Sequence, residues 1–217
     1  MKIVAKIPSR KEEIGNFITH TAGTMLALAG LVVLIIRAVK IGGTLRIFSF
    51  TLFGITLVLL YVASSLYHGL PLVISSKRLQ KILRIFDHSA IFLLIAGTYS
   101  PFALVTLKSS TGGLKIFVSV WLIAIIGIVI KILFISRFTV FFTALYIFMG
   151  WLVVFAIKPL IQNLPPGGIA LLFAGGLAYT FGVVFYAVQK MKYNHFIWHF
   201  FVLAGSILHY FSVLLFV

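Results

Sequence analysis

Four residues carry most of the chemistry open to this 217-residue chain: His68, Asp87, His195 and His199. His195 and His199 are four apart, so on a helix both rings leave one face about a turn apart and can share an ion. Ser64 and His68 repeat that spacing. Asp87 is one of only three acidic residues, and it opens a long apolar run. Three histidines with one carboxylate are what a zinc site with an open coordination position needs. The chain has no cysteine, so thiolates are excluded and any metal must be held by His, Asp, Glu or hydroxyl oxygen.

The other histidines rank lower. His209 lies fourteen residues after His195, about 21 Å along a helix rising 1.5 Å per residue, and cannot reach the same ion. His20, at the start of the first apolar run, is a weaker candidate for a supporting or structural role. His88 follows Asp87 directly, should point elsewhere on its helix, and reads as packing or interfacial. Ser64 taken alone reads as interhelical glue, because small hydroxyl residues are common where membrane helices pack.

The elements that must position these groups are membrane helices. The chain is 62% hydrophobic and only 10% charged, with a mean hydropathy of +1.19, far from soluble globular composition. Charge-free runs cover 14–36, 47–76, 88–107, 116–130, 138–157, 159–189 and 193–217. A span needs roughly 20 mostly apolar residues, and six runs reach that length. The fourth is short, but Lys131 can snorkel and the residues beyond it extend the run toward Arg137. The expected fold is therefore all-α: a bundle of seven transmembrane helices forming one domain over residues 1–217. Residues 1–13 form a short arm without the features of a signal peptide, so the first helix is expected to remain in the mature protein. The many Phe and Leu residues read as lipid-facing bulk, and Gly175, Gly176 and Gly182 as points of close helix contact.

The net charge of +15 reflects basic residues punctuating the spans rather than a nucleic-acid surface. Twelve Lys and Arg fall on the N-terminal side, among them Arg10, Lys11, Lys77, Arg78, Lys81, Arg84 and Lys131. Six fall on the other: Arg37, Lys40, Arg46, Lys108, Lys115 and Lys158. The positive-inside rule then places the N-terminus in the cytoplasm and, after seven spans of a plasma-membrane protein, the C-terminus outside. The end of the second helix at His68, the start of the third at Asp87 and the start of the seventh at His195 all fall on one side. Residues distant in sequence thus arrive at one depth, where ionisable groups are costly and usually functional.

At these residues the chain resembles the hemolysin III family, the prokaryotic branch of the progestin and adipoQ receptor group. The resemblance rests on EEIGNFITHTAG at 12–23, SSLYH at 64–68, FDHSAIFLLIAGTYSPF at 86–102 and HFIWHFFVLAGSILHYFSV at 195–213, in family order across nearly the whole chain. It implies a seven-helix protein with Zn²⁺ near the cytoplasmic face. The family's ligands map onto His68, His195 and His199, and its serine and aspartate onto Ser64 and Asp87. The wider superfamily includes alkaline ceramidases, so the implied activity is hydrolysis of an amide- or ester-bearing lipid entering from the bilayer. Asp87 would move the proton and Ser64 would hydrogen-bond beside the metal. Two other classes stand beside it: a membrane-stress sensor or receptor with structural zinc, and a haemolysin-type pore former. The chain lacks a long N-terminal extension of the adiponectin-receptor kind, so a hormone-receptor role does not carry over.

Overall fold

A computed structural model describes residues 9–108, 111–134, 138–188 and 190–217. Residues 1–8, 135–137 and 189, which supply several of the charges and run boundaries above, lie outside the described residues. Seven helical segments among the described residues are long and apolar enough to cross a membrane. They comprise α1 (Arg10–Ile41), α2 (Thr44–Gly69), α3 (Lys77–Pro101), α4 (Thr111–Leu133), a composite fifth span, α7 (Pro166–Ala187) and α8 (Asn194–Phe216). The fifth span is α5 (Thr139–Trp151), a 3-10 stretch (Leu152–Ala156) and the short α6 (Ile157–Asn163).

Two helices start earlier than the charge-free runs suggest, because side chains cap them. Ser9 accepts a hydrogen bond from the Glu12 backbone N–H at 3.2 Å and starts α1 at Arg10. Ser76 does the same for Leu79 at 3.3 Å, which starts α3 at Lys77. Asp87 therefore does not open its helix. It lies ten residues in, about 15 Å along the axis, after a basic first stretch holding Lys77, Arg78, Lys81 and Arg84. The expected break at Lys158 is also displaced: α6 carries the fifth span through to Asn163, and Pro165 and Pro166 set the start of the next helix.

The chain packs around a ring in sequence order, α1 on α2, α2 on α3, α3 on α4 and α7 on α8, and α8 closes it against α1. The interior face of α1 reads Asn16, His20, Gly23, Ala27, Leu34 and Ala38. Two irregular stretches interrupt the regular helices. After Pro101, which offers no N–H, α3 widens into a π-helical turn over Phe102–Thr106. In the fifth span, the Tyr99 hydroxyl donates to the carbonyls of Met149 and Gly150 and accepts from the Val153 N–H at 2.8 Å. It supplies the partners that a broken helix must find away from water.

The reading of Phe as lipid-facing bulk fails at the centre. Phe50, Phe53 and Phe92 are fully buried, and Phe102 and Phe142 nearly so. Gly175 and Gly182 are points of close approach: a methyl group there would overlap the His209 ring and the Trp198 ring, respectively. Gly176 is not, because the nearest atom to such a methyl, on Trp151, is 3.9 Å away.

Candidate metal centre

α2 delivers His68 at its last turn, and α8 delivers His195 and His199 in its first two turns. One nitrogen from each of the three rings lies within 4.8 Å of the others, the one such group of potential metal ligands among the described residues. His68 is 5.0 Å, centroid to centroid, from both other rings, and His195 and His199 are 4.7 Å apart. His68 and His199 are all but inaccessible to solvent.

The start of α8 depends on the turn before it. Tyr193 takes a left-handed conformation at φ 58°, and Asn194 donates from its side chain to the Tyr186 carbonyl at 3.0 Å. That anchors the first turn of α8 to α7. A non-glycine residue in that region costs roughly 1–2 kcal/mol, which the surrounding packing must offset.

Two contacts set the tautomers. His68 Nδ1 lies 2.6 Å from Glu13 Oε2. A carboxylate only accepts, so Nδ1–H donates and the Nε2 lone pair is left free. That Nε2 is buried and has no protein partner, as expected of an atom aimed at an ion. The Thr19 hydroxyl lies 3.4 Å from His199 Nδ1, and its own proton is committed to the Gly15 and Asn16 carbonyls at 3.0 Å. Thr19 oxygen therefore accepts from Nδ1–H, and Nε2 of His199 is likewise free. Two imidazoles so partnered, with His195 completing the group, make a donor set that fits a zinc ion.

The centre opens onto a cavity of about 190 Å³ inside the bundle. Ser64 and Asp87 line it beside His195 and His199. It extends past Thr98 and Phe102 to Leu172, Gly176 and His209, and most of its wall is apolar. His209 is far from the triad, bonded through Nε2 to the Leu172 carbonyl at 2.9 Å. His20 stacks on His199 at 3.6 Å between centroids, with both ring nitrogens buried and unpartnered. It supports the centre's wall and is not one of the three grouped ligands. His88 corrects the expectation made for it. Its Nδ1 lies 3.3 Å from Asp87 Oδ2 and its ring lines the same cavity, because a histidine ring is long enough to turn back onto the preceding carboxylate.

This arrangement coincides with a sequence match that decides the relationship. The chain matches the family described as Haemolysin-III related over residues 9–210. The chain belongs to the hemolysin III family. Within it, the chain is similar to Hemolysin-3 of Bacillus cereus, 46% identical over 95% of this chain and 92% of the relative. It is 48% identical to the Hemolysin-3 homolog of Bacillus subtilis (strain 168), over 94% of this chain and 93% of that one. A more distant human relative, Monocyte to macrophage differentiation factor, is 26% identical over 75% of this chain and 67% of its own length. Hemolysin III family proteins are multi-pass membrane proteins, in keeping with the seven apolar helices.

Glu13 and Thr19 are the supporting residues that sequence reasoning overlooked in this hemolysin III family chain. A signal existed: Glu13, Asn16 and His20 recur at helical spacing in the EEIGNFITH stretch, a polar stripe at the start of a helix that is mostly apolar from Ala22 to Ile36.

Proposed function

We propose that this protein is a zinc-dependent membrane hydrolase acting on an amide- or ester-bearing lipid. The observation that carries the reading is a three-histidine group, two of whose rings have Nδ1 held by side chains of α1, beside an apolar cavity that also holds the Asp87 carboxylate and the Ser64 hydroxyl. His68, His195 and His199 would hold the metal. When bound, zinc supplies a Lewis acid that polarises a carbonyl and lowers the pKa of water to about 7. The chain's own residues do the rest. Asp87 takes a proton from the attacking water as its oxygen adds to the carbonyl carbon. Asp87 returns that proton to the leaving nitrogen or oxygen as the scissile bond breaks, and His88 steadies the carboxylate at 3.3 Å. Ser64 hydrogen-bonds to the reacting group, and the apolar wall toward His209 accommodates an acyl chain.

The test is Asp87→Asn in purified protein, with zinc counted by elemental analysis and turnover followed on a panel of amide and ester lipids. The expected variant keeps its zinc and loses hydrolysis by roughly 10²-fold or more. Full zinc with wild-type turnover would remove Asp87 from the chemistry. Wild-type protein that hydrolyses nothing across the panel would overturn the hydrolase reading.

A further inference from the structure

Among the described residues, Lys131 is the one buried cation that the chemistry above does not use. It stands two residues before the end of α4, where a lipid-facing lysine would snorkel to the interface, as the sequence suggested. Instead its side chain turns inward and is 2% exposed. Its Nζ lies 4.1 Å from the centroid of the Phe142 ring. Phe142 in turn packs edge-on against Phe92, and the Tyr146 hydroxyl donates to the His88 carbonyl at 3.0 Å. Aromatic residues of α5 thus hold the lysine at the depth of Asp87 and His88, and it lines the same cavity.

Glu12, Glu13 and Asp87 are the chain's only acidic residues; none forms an ion pair with Lys131, and the Asp87 carboxylate acts on it only from across the shared cavity. An ammonium withdrawn from water needs a counter-charge, and one aromatic face replaces only part of its hydration. We propose that the missing partner is the ligand: Lys131 forms an anion subsite that binds the carboxylate or phosphate of a single-chain lipid whose tail lies along the cavity. The subsite deepens the hydrolase reading and rests on it for the identity of the cavity as a lipid pocket. It selects among amide or ester lipids for those bearing an anionic group, and it also holds a fatty-acid product.

Binding measured without turnover tests this independently of catalysis. Zinc-loaded protein in nanodiscs of neutral lipid would be titrated with hexadecyl phosphate, palmitate and hexadecanol, and with inorganic phosphate. The expected result is that the phosphate or the carboxylate amphiphile binds about tenfold more tightly than the alcohol, since charge-assisted hydrogen bonds are the strong ones. That preference should collapse in Lys131→Met and persist in Lys131→Arg, with thermal stability checked in both. Equal binding of the anionic amphiphiles and the alcohol to wild-type protein, which needs no variant, would overturn the subsite. So would a preference that survives Lys131→Met, or inorganic phosphate binding as tightly as its hexadecyl ester. None of these ligands is hydrolysed by amide or ester chemistry of the carbonyl kind, so the hydrolase reading can fail while this result stands, and the reverse.

Discussion

Glu13 and Thr19 act on the histidines they touch by deciding which ring nitrogen keeps its proton. In a low-dielectric interior that choice determines whether a lone pair or an N–H faces the middle of the triad, where an ion would sit. Replacing Glu13 with Gln keeps a hydrogen-bond acceptor for His68 Nδ1 but removes the charge that strengthens the bond. Zinc affinity in Glu13→Gln should fall about 10-fold or more, read from competition with a chelator of known affinity. Unchanged affinity would mean that Glu13 serves only to close α1 onto α2. The triad itself is tested by contrast. His199→Ala should lose most of its zinc, whereas His209→Ala should retain it, because His209 bonds the Leu172 carbonyl at the far end of the cavity. Elemental analysis of the two purified variants decides between them, and loss of zinc from His209→Ala with the fold intact would contradict the geometry.

At the scale of the helix, the cavity's floor depends on how closely α7 and α8 approach. Gly175 faces the His209 ring and the Gly205 carbonyl of α8, leaving no room for a side chain. Gly175→Leu should therefore destabilise the bundle by about 1–3 kcal/mol, measured by thermal unfolding in detergent. The same substitution at Gly176, where only Trp151 approaches at 3.9 Å, should cost clearly less. Equal effects at the two glycines would show that α7 can rotate to relieve the contact. The two helix-end devices near the centre, Tyr193 in the left-handed region and the Asn194 link to Tyr186, have the same purpose at the other end of α7 and α8. They hold the first turn of α8, and with it His195, against its neighbour.

Across the whole molecule, seven spans in ring order let α1, α2 and α8 meet around the histidine triad while α3, α4, α5 and α7 enclose the cavity beside it. An odd number of crossings puts the two ends of the chain on opposite sides of the membrane. The excess of Lys and Arg on the N-terminal side predicts that this side, with the histidine triad, faces the cytoplasm. Reporter fusions at the two ends should give opposite signals, with the N-terminal one cytoplasmic. Both ends on one face would contradict the span count, and an external N-terminus would reverse the orientation.

Hydropathy and spacing along the chain sufficed for the class of protein, the seven spans, the i, i+4 histidine pair of α8 and the family resemblance, because each depends on residues close in sequence. The pairing of Glu13 with His68, separated by 55 positions, and of Thr19 with His199, separated by 180, was decided by the tertiary structure. So was the inward turn of Lys131. Helices that are apolar all round carry no local mark of which face meets lipid and which meets the bundle, so α4 looks the same from sequence whether its lysine reaches for the interface or for the cavity. Only the packing of α3 and α5 around it settles that direction. The buried Phe50, Phe53 and Phe92 are indistinguishable in sequence from the exposed Phe48, Phe86 and Phe200 for the same reason. In a membrane, both faces of a helix are apolar, and burial becomes a property of the neighbours rather than of the residue.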